Sequence, residues 1–346
     1  MRVLVTGADG YIGALLAPLL LKRGHDVSGL DTGFFQEGRL YETEDERLPT
    51  YLNKDVRQVT EEDLKGFDAV VHMAELSNDP LGQLSPKVTY EINHKGTVEL
   101  ARKCKRAGVS RFVHTSSCSV YGLGGDEFKT EESELNPQTV YSKCKVLVER
   151  DLSQMADDDF SPTFLRNATA YGASPRMRFD LVLNNLCGQA WTKKQIRMTS
   201  DGTPWRPLVH VLDICEAISA SLDAPREVVH NQIFNVGDNQ ENYRVKEIAE
   251  IVARVFPGCE LTLGTDHSDT RSYRVSFDKI KTRLPGFRCR RSAMQGAREL
   301  RELFERIGMS RETFESRPFT RIRQLEYKLR TGQIDSHFRW KERAAT

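Results

Sequence analysis

The feature that most constrains this chain is a glycine-rich turn at its beginning. Residues 2–7, "RVLVTG", form a short apolar run, and "GADGYIG" then places glycines at positions 7, 10 and 13. The residues that follow, up to Gly24, carry apolar side chains at helical spacing. Glycines between a strand and a helix let backbone N–H groups at the helix N-terminus approach a phosphate closely. The pattern therefore predicts a strand–turn–helix unit that binds a dinucleotide diphosphate.

Asp31 ends a second predicted strand, "DVSGLD", 18 residues after Gly13. An acidic side chain at this place accepts hydrogen bonds from the hydroxyls of an adenosine ribose. Because the same carboxylate repels a 2′-phosphate, the sequence favours NAD over NADP. Asp55, after a possible third strand, could reach the adenine, and an ordinary surface aspartate is an equally good interpretation.

Strands and helices alternate through the first half of the chain. Apolar runs at 68–74, 111–117 and 162–172 read as strands, and the segments 87–108 and 139–156 read as helices. Strands that are apolar on both faces are typical of a parallel sheet covered by helices on both sides. The predicted fold class is α/β, a doubly wound parallel sheet of the Rossmann type with a smaller mixed α/β substrate cap.

The second half of the chain is less regular. A helix is expected near 177–191, followed by loops with Pro and Trp at 200–208 and an Arg-rich tail. We assign 1–172 to the NAD-binding domain, with a strand and a helix returning to it near 207–236. Residues 173–346 form mainly the substrate cap and a C-terminal helical tail. The tail is interpreted as a packing element, with a cover for the substrate pocket or a subunit contact as alternatives.

Composition excludes several classes of partner and site. The 50 basic and 49 acidic residues give a net charge of +1, so nothing favours nucleic acid or an anionic membrane. The seven cysteines include no C-x-x-C pair, which disfavours a disulfide framework or a zinc site. We find no signal peptide and no run of 18 apolar residues. A soluble, cytoplasmic protein without a bound metal is expected.

The segment "YSKCK" places Tyr141 and Lys145 on one face of a predicted helix, one turn apart. A free tyrosine has a pKa of about 10, and a neighbouring ammonium group stabilises the phenolate. The pair could therefore act as a base near neutral pH. Taken alone, such a pair is more often an exposed surface contact.

Together these segments resemble the extended short-chain dehydrogenases/reductases, in particular the sugar-nucleotide epimerases and dehydratases such as the UDP-galactose 4-epimerases. The resemblance rests first on "TGADGYIG" at 6–13, Asp31, "HMAELS" at 72–77, "SSCSVYG" at 116–122 and "YSKCK" at 141–145. It extends through nearly the whole chain, with "LRNATAYG" at 165–172, "DGTPWRPLVHVLD" at 201–213 and "DTRSYRVSFDKIK" at 269–281.

The resemblance implies a catalytic role for three residues. Tyr141 takes a proton from a sugar hydroxyl while the adjacent carbon gives hydride to NAD. Lys145 lowers the pKa of that tyrosine and holds the nicotinamide ribose. Ser117 hydrogen-bonds the substrate oxygen, with Ser116 and then Ser119 as alternatives. The implied cofactor contacts are Gly7, Gly10, Tyr11, Ile12, Gly13, Asp31, Asp55, Val56, Met73, Ala74, Tyr141 and Lys145.

The chain departs from the 4,6-dehydratases directly after Ser117. Those enzymes have Asp and Glu there, an acid and a base that expel water, whereas this chain has Cys118 and Ser119. Neither side chain replaces a carboxyl group at pH 7, so the usual dehydratase mechanism is disfavoured. A nucleophilic Cys118 would need a base, and His114 lies roughly 13 Å away along an extended strand. Cys118 is therefore interpreted as a small buried residue.

Five residues are expected to contact the sugar nucleotide besides Ser117. Thr169 takes the place of an asparagine that touches the substrate in the epimerases. Asn184 and Asn185 lie on a helix in the region where relatives hold the diphosphate, and each is equally well explained as a surface amide. Arg206 and Arg271 match the two family arginines that bind the diphosphate, for which the guanidinium fork is suited.

The predicted function is reversible epimerisation of a nucleotide-diphosphate sugar, most simply at C4 through a 4-keto intermediate and a bound NAD. One alternative is a sugar-nucleotide 4-dehydrogenase or reductase with an exchangeable cofactor. Another is an NAD-binding regulator without catalysis. The resemblance also implies a homodimer formed through the helices near 83–107 and 137–158.

Overall fold

The computed structural model describes residues 1–43, 50–266 and 271–341. Asp269 and Thr270, which open the motif at 269–281, lie outside the described residues. The strands are β1 Arg2–Thr6, β2 Asp26–Asp31, β3 Thr50–Asn53, β4 Ala69–His72, β5 Arg111–Ser117, β6 Leu123–Lys129, β7 Ser161–Asn167, β8 Thr169–Tyr171, β9 Gln195–Arg197, β10 Trp205–His210, β11 Gln232–Val236, β12 Asn242–Arg244, β13 Glu260–Thr262 and β14 Ser272–Val275.

The α-helices are α1 Gly13–Lys22, α2 Asp79–Leu84, α3 Pro86–Thr89, α4 Thr97–Arg106, α5 Val140–Ser153, α6 Val182–Lys193, α7 Val211–Asp223, α8 Arg226–Val229, α9 Val245–Val255, α10 Asp278–Arg283, α11 Ala293–Arg306, α12 Arg311–Glu315 and α13 Arg321–Arg330. A π-helical segment, Tyr90–Gly96, joins α3 to α4. In the described ranges, no helix combines the length and the apolar character needed to cross a membrane.

Seven strands form the central sheet, in the order β11-β7-β5-β4-β1-β2-β3, and every neighbouring pair is parallel. The prediction of a doubly wound parallel sheet is confirmed. From β1 the chain proceeds outward to β2 and β3, and it then returns to the other side of β1 to form β4. Ligands of such sheets bind in the crevice at this reversal, outside the carboxyl ends of the strands.

The alternation of side chains along β1 explains why helices cover both faces of the sheet. Val3 and Val5 pack with α1 and α7 on one face, whereas Leu4 packs with α4 and α5 on the other. β4 and β7 are buried along their whole length. A separate apolar cluster joins α6, α9 and α11 around residues such as Leu183, Ile248 and Leu300. The boundary at residue 172 stays a prediction.

The local assignments differ from the sequence expectations at three places. The strand expected at 162–172 is divided at Ala168, so that β7 belongs to the central sheet and β8 to a three-stranded sheet, β12-β10-β8. The helix expected near 177–191 begins only at Val182. The loop expected at 200–208 contains the start of β10, because Trp205 pairs with Arg244 of β12. Because Arg244 is distant from Trp205 in the sequence, the residues around Trp205 do not indicate this strand pairing.

We expect Gly13→Ala to destabilise the fold much more than Gly108→Ala. A Cβ atom at Gly13 would lie 2.2 Å from the Gly7 carbonyl oxygen and 2.7 Å from the Cα atom of Ala8. Relieving such a backbone clash should cost about 3 kcal/mol of unfolding free energy. Gly108 has a left-handed φ of +82°, with nothing within 4 Å of an added Cβ, so its cost should be about 1 kcal/mol. Urea unfolding measures both values, and equal losses would contradict the tight turn.

Candidate active site

A cavity of about 1020 Å³ opens at the carboxyl ends of the central strands. Its wall includes the glycine turn, the ends of β2 and β5, the loop after β4 and the first turns of α5. Sixteen of the eighteen residues predicted to form the site line this one cavity. They are Gly7, Gly10, Tyr11, Ile12, Gly13, Asp31, Asp55, Val56, Met73, Ala74, Ser117, Tyr141, Lys145, Thr169, Arg206 and Arg271.

The glycine turn lies directly against the loop that follows β4. Gly7 has a left-handed φ of +75°, and a Cβ atom there would lie 2.9 Å from the backbone carbonyl carbon of Met73. The Gly7 N–H donates to the Leu30 carbonyl at 2.7 Å, which ties the turn to the end of β2. Ile12, at the N-cap of α1, supplies no side-chain acceptor to the N–H groups of this helix within the described chain. This cradle of backbone groups fits a diphosphate.

Asp31 is held rigidly at the edge of the cavity. Its carboxylate accepts hydrogen bonds from the backbone N–H groups of Asp9 at 3.1 Å and Gly33 at 2.9 Å. Burial raises the pKa of Asp31, and the bond from Gly33 opposes that rise. An oriented, half-buried carboxylate next to a glycine turn fits the ribose of an adenosine.

Asp55 lines the same cavity, although its carboxylate is already engaged. Both of its oxygens accept hydrogen bonds from the Arg57 guanidinium, the shortest at 2.6 Å. One of them also accepts from the Arg57 backbone N–H at 2.8 Å and caps the short helix Val56–Gln58. Its contact with adenine stays a prediction.

Tyr141 and Ser117 meet where α5 begins above the end of β5. A capping box fixes the start of α5, in which Thr139 accepts from the Ser142 N–H at 3.2 Å and Ser142 accepts from the Thr139 N–H at 3.1 Å. The Ser117 side chain lies near enough to the Tyr141 phenol to lower its pKa. Tyrosine and serine are thereby brought together around one point of the cavity.

The pKa of Tyr141 differs from the sequence expectation. Burial raises it well above the usual value, the carboxylates of Glu75 and Asp79 raise it further, and the hydrogen bond with Ser117 lowers it. The Lys145 ammonium lies 5.5 Å from the centre of the tyrosine ring. The net effect on the pKa of Tyr141 is therefore a rise, and a lowering of that pKa by Lys145 stays a prediction.

After burial, the carboxylate of Glu75 contributes most to the raised pKa of Tyr141. Its side chain is 2% exposed and forms an ion pair with Lys145, whose ammonium also donates to the Thr115 carbonyl. The negative charge of Glu75 offsets the positive charge that was expected to act on Tyr141. Burial raises the pKa of Glu75, and Lys145 opposes that rise. Sequence analysis missed Glu75, although a carboxylate within an apolar motif that follows a buried strand was an available signal.

Two buried histidines lie beneath this ion pair. His72 contacts the hydroxyls of Thr6 and Thr97, each at 2.8 Å, and burial lowers its pKa to about 3. Burial also lowers the pKa of His114, whose two ring nitrogens have no hydrogen-bond partner in the described part of the chain. Potential metal-ligand atoms of His72, Glu75 and His114 lie within 4.8 Å of one another. Because His72 already uses both nitrogens and Lys145 occupies Glu75, we assign no metal to this cluster.

The neighbours of Ser117 have other partners. Ser116 donates to the Glu149 carboxylate at 2.5 Å, and the Cys118 thiol lies 3.1 Å from the Arg166 carbonyl oxygen. Burial raises the pKa of this thiol well above its usual value, which disfavours a nucleophilic thiolate. Ser119 lines the cavity, and its hydroxyl has no partner among the described residues. Ser117 is the hydroxyl that contacts the tyrosine.

The two predicted arginines lie together on β10 and just before β14. Arg206 donates to the carbonyls of Trp205, at 2.8 Å, and Arg271, and its guanidinium lies 5.8 Å from the centre of the Tyr273 ring. Arg271 forms an ion pair with Asp79. Both side chains line the cavity, as does Thr169 at the start of β8.

Neither Asn184 nor Asn185 appears among the described residues that line the cavity. The buried Asn184 accepts from the Gly172 N–H at 3.0 Å and donates to Tyr11 and to the Arg178 carbonyl. Asn185 donates to the Phe179 carbonyl at 2.8 Å. The structure thus places both amides away from the cavity wall, where they hold the chain at the start of α6, and their contact with the diphosphate stays a prediction.

The same segment supplies a cavity residue that sequence analysis missed. Arg178 is 6% exposed and pairs through two nitrogens with Asp180, at 2.9 and 3.0 Å. A third nitrogen of its guanidinium donates to the Ser77 hydroxyl at 3.3 Å. Both Arg178 and Asp180 line the cavity. An arginine two residues before an aspartate is too common in sequences to have been singled out.

We expect Glu75→Gln to lower the free energy of unfolding by about 3 kcal/mol, because it leaves the Lys145 ammonium buried without its counter-charge. The matched control is Glu62→Gln, which removes the partner of Lys65 from a fully solvated pair. The control should show no measurable loss, since exposed ion pairs contribute little. Urea denaturation of the two variants checks this, and a stable Glu75→Gln protein would contradict the importance of the buried pair.

Comparison with known proteins agrees with this geometry. Residues 3–237 match the model of the NAD dependent epimerase/dehydratase family. The UDP-glucose 4-epimerase of Neisseria meningitidis serogroup C is 30% identical over 289 residues, which cover 76% of this chain and 84% of that protein. A UDP-N-acetyl-alpha-D-glucosaminuronate decarboxylase of Bacillus cytotoxicus is 26% identical and covers 81% of this chain and 84% of its own length.

Solved structures show a similar arrangement. MoeE5 in complex with UDP-glucuronic acid and NAD superposes with a TM-score of 0.77 at 26% sequence identity, over 88% of this chain and 99% of that chain. The superposition extends over both the central sheet and the region that follows it in the sequence, whereas the family model ends at residue 237.

Proposed function

The chain belongs to the NAD-dependent epimerase/dehydratase family, and we propose that it epimerises a nucleotide-diphosphate sugar at C4 through a 4-keto intermediate. It is an enzyme of the extended short-chain dehydrogenase/reductase type, its cofactor is NAD, and its reaction is an epimerisation or dehydration of a sugar nucleotide. The observation that carries the finer proposal is the meeting of Tyr141 and Ser117 in the cavity that the glycine turn and Asp31 also line.

The residues of the chain fit NAD. The backbone cradle at Gly7 and Gly10 suits the diphosphate, and the Asp31 carboxylate suits the adenosine ribose. When bound, NAD accepts a hydride from the sugar and returns it. Lys145, which projects into the same cavity, would hold the nicotinamide ribose.

Tyr141 supplies the proton transfer. The Ser117 hydroxyl would hold the reacting sugar oxygen by a hydrogen bond. Tyr141, ionised to the phenolate with the Lys145 ammonium nearby, would take the proton of the sugar hydroxyl and later return it from its own hydroxyl. Lys145 is buried and Tyr141 is half-buried, so the transfer would take place in the wall of the cavity. Arg206 and Arg271 would neutralise the substrate diphosphate, for which guanidinium groups are suited.

Epimerisation is favoured over dehydration by the residues that follow Ser117. The thiol of Cys118 lies against the Arg166 carbonyl, and Ser119 carries only a hydroxyl. Neither supplies the acid or the base that expels water in the usual dehydratase mechanism. Reversible oxidation of the sugar needs neither group. The homodimer and the cytoplasmic location expected from the sequence stay predictions.

We expect Tyr141→Phe to lower kcat by about 1,000-fold, because it removes the group that carries the proton. Tyr90→Phe is the matched control, since it removes a phenol hydroxyl from the π-helical segment outside the cavity wall. NMR of reactions with a panel of UDP-, GDP-, dTDP-, CDP- and ADP-sugars identifies the substrate and measures turnover. Equal rates for Tyr141→Phe and the wild type would refute the proposed mechanism.

A second measurement separates epimerisation from net oxidation. We expect the denatured enzyme to release NAD in a stoichiometric amount, because an epimerase uses the same cofactor in every cycle. During turnover, absorbance at the NADH band should stay flat and added NAD should not change the rate. NADH that accumulates in proportion to consumed sugar would instead support the alternative, a 4-dehydrogenase with an exchangeable cofactor.

A further inference from the structure

The C-terminal tail places a buried arginine in the wall of the active-site cavity. Arg321, the first residue of α13, is 2% exposed and lines this cavity together with Ile322. Its Nη1 atom has no hydrogen-bond partner in the part of the chain that the structure describes. The guanidinium carbon lies 4.1 Å from the centre of the Phe35 ring. A buried arginine that lacks an acceptor is rare, because guanidinium groups are strong hydrogen-bond donors.

The two arginines near Arg321 are each paired with a carboxylate. Arg178 is paired with Asp180, and Arg176 is paired with Asp9 at 2.6 Å. Burial and the neighbouring Arg178 lower the pKa of Arg321 to about 9, whereas Asp180 and Asp31 raise it. The guanidinium therefore remains charged at neutral pH, in a place where a ligand anion would compensate it.

We propose that Arg321 binds the diphosphate of NAD and that the C-terminal tail thereby retains the cofactor. The neighbours of Arg321 belong to the cofactor side of the cavity. Asp31 adjoins the expected adenosine ribose, and Arg176 is bound to Asp9 within the glycine turn. The largest effects of charges on Arg321 come from Arg178, Asp180, Asp31 and Arg176, and not from the arginines proposed for the sugar nucleotide.

The tail is fastened to the loop that follows Asp31. The Trp340 indole N–H donates to the Thr32 carbonyl at 2.6 Å, and Gln324 donates to the Phe34 carbonyl at 3.3 Å. Lys328 donates to the Glu37 carboxylate at 2.8 Å. These bonds hold α13 against the loop that carries Phe34 and Phe35, in the wall of the cavity.

This inference rests on NAD as the cofactor and deepens the proposed function, since a retained cofactor suits a reaction that regenerates NAD in each cycle. Arg321 lies beyond residue 237, where the match to the family model ends. The tail would thus add to this chain a cofactor contact that the family motif does not contain.

The test compares Arg321→Met with Arg330→Met, which removes the same charge from an exposed position at the end of α13. Cofactor-free protein is titrated with NAD, ADP-ribose and adenosine by calorimetry. We expect Arg321→Met to raise the Kd for NAD and for ADP-ribose by about 10- to 100-fold, the range for a lost charged hydrogen bond. Adenosine affinity should not change, and Arg330→Met should bind all three ligands as the wild type does.

Two further measurements complete the test. The ligand-free Arg321→Met protein should have a Tm at least as high as that of the wild type, because an uncompensated buried charge has been removed. NAD should leave the Arg321→Met holoenzyme faster than it leaves the wild-type holoenzyme. Arg321→Lys, which keeps the charge but lacks the guanidinium fork, should bind NAD with an intermediate Kd.

An unchanged Kd for NAD in both Arg321 variants would overturn the inference. A loss of affinity for adenosine equal to the loss for NAD would also overturn it. That result would mean that Arg321 acts by holding Phe35 in place and not by binding the diphosphate. All of these measurements report binding and stability without any sugar nucleotide. The wild-type enzyme could fail to epimerise any sugar nucleotide while Arg321→Met still lowers the affinity for NAD. That result would refute the proposed function and leave this inference intact.

Discussion

The close approach of the glycine turn to the loop after β4 is the constraint on which the site depends. A Cβ atom at Gly7 or Gly13 would meet backbone atoms at less than 3 Å. Only hydrogen at these positions lets β1 and β4 lie side by side with their carboxyl ends open. The cavity, and with it the positions of Asp31, Ser117 and Tyr141, follows from that contact.

Buried ion pairs are the second feature that determines the arrangement of the cavity wall. The ion pairs Lys145–Glu75 and Arg178–Asp180 are both largely hidden from water and both line the cavity. Each carboxylate compensates the positive charge of its partner. Arg321 differs because its Nη1 atom lacks a hydrogen-bond partner in the described structure. This unpartnered donor lies on the side of the cavity where the cofactor is expected, which is a reason to assign it to the ligand.

The sequence indicated the site well wherever a motif is local. The glycine spacing, the aspartate that ends β2 and the tyrosine and lysine one helical turn apart each lie within a few residues of one another or of a strand end. Local spacing is enough there because backbone geometry fixes which side chains share a face or an edge. The charge around Tyr141 could not be predicted in this way, because Glu75 forms its ion pair with Lys145 only in the folded chain.

What the sequence determined by itself was the alternation of strands and helices, the parallel sheet, the dinucleotide turn and the chemical type of the catalytic groups. What only the tertiary structure decided was which charges neutralise one another and which polar residues face the cavity. Asn184 turns toward Tyr11 and Arg178 rather than toward a ligand, and Arg321 reaches the cavity from near the end of the chain. Such contacts join residues far apart in sequence, and their energies depend on burial and distance, neither of which a linear pattern records.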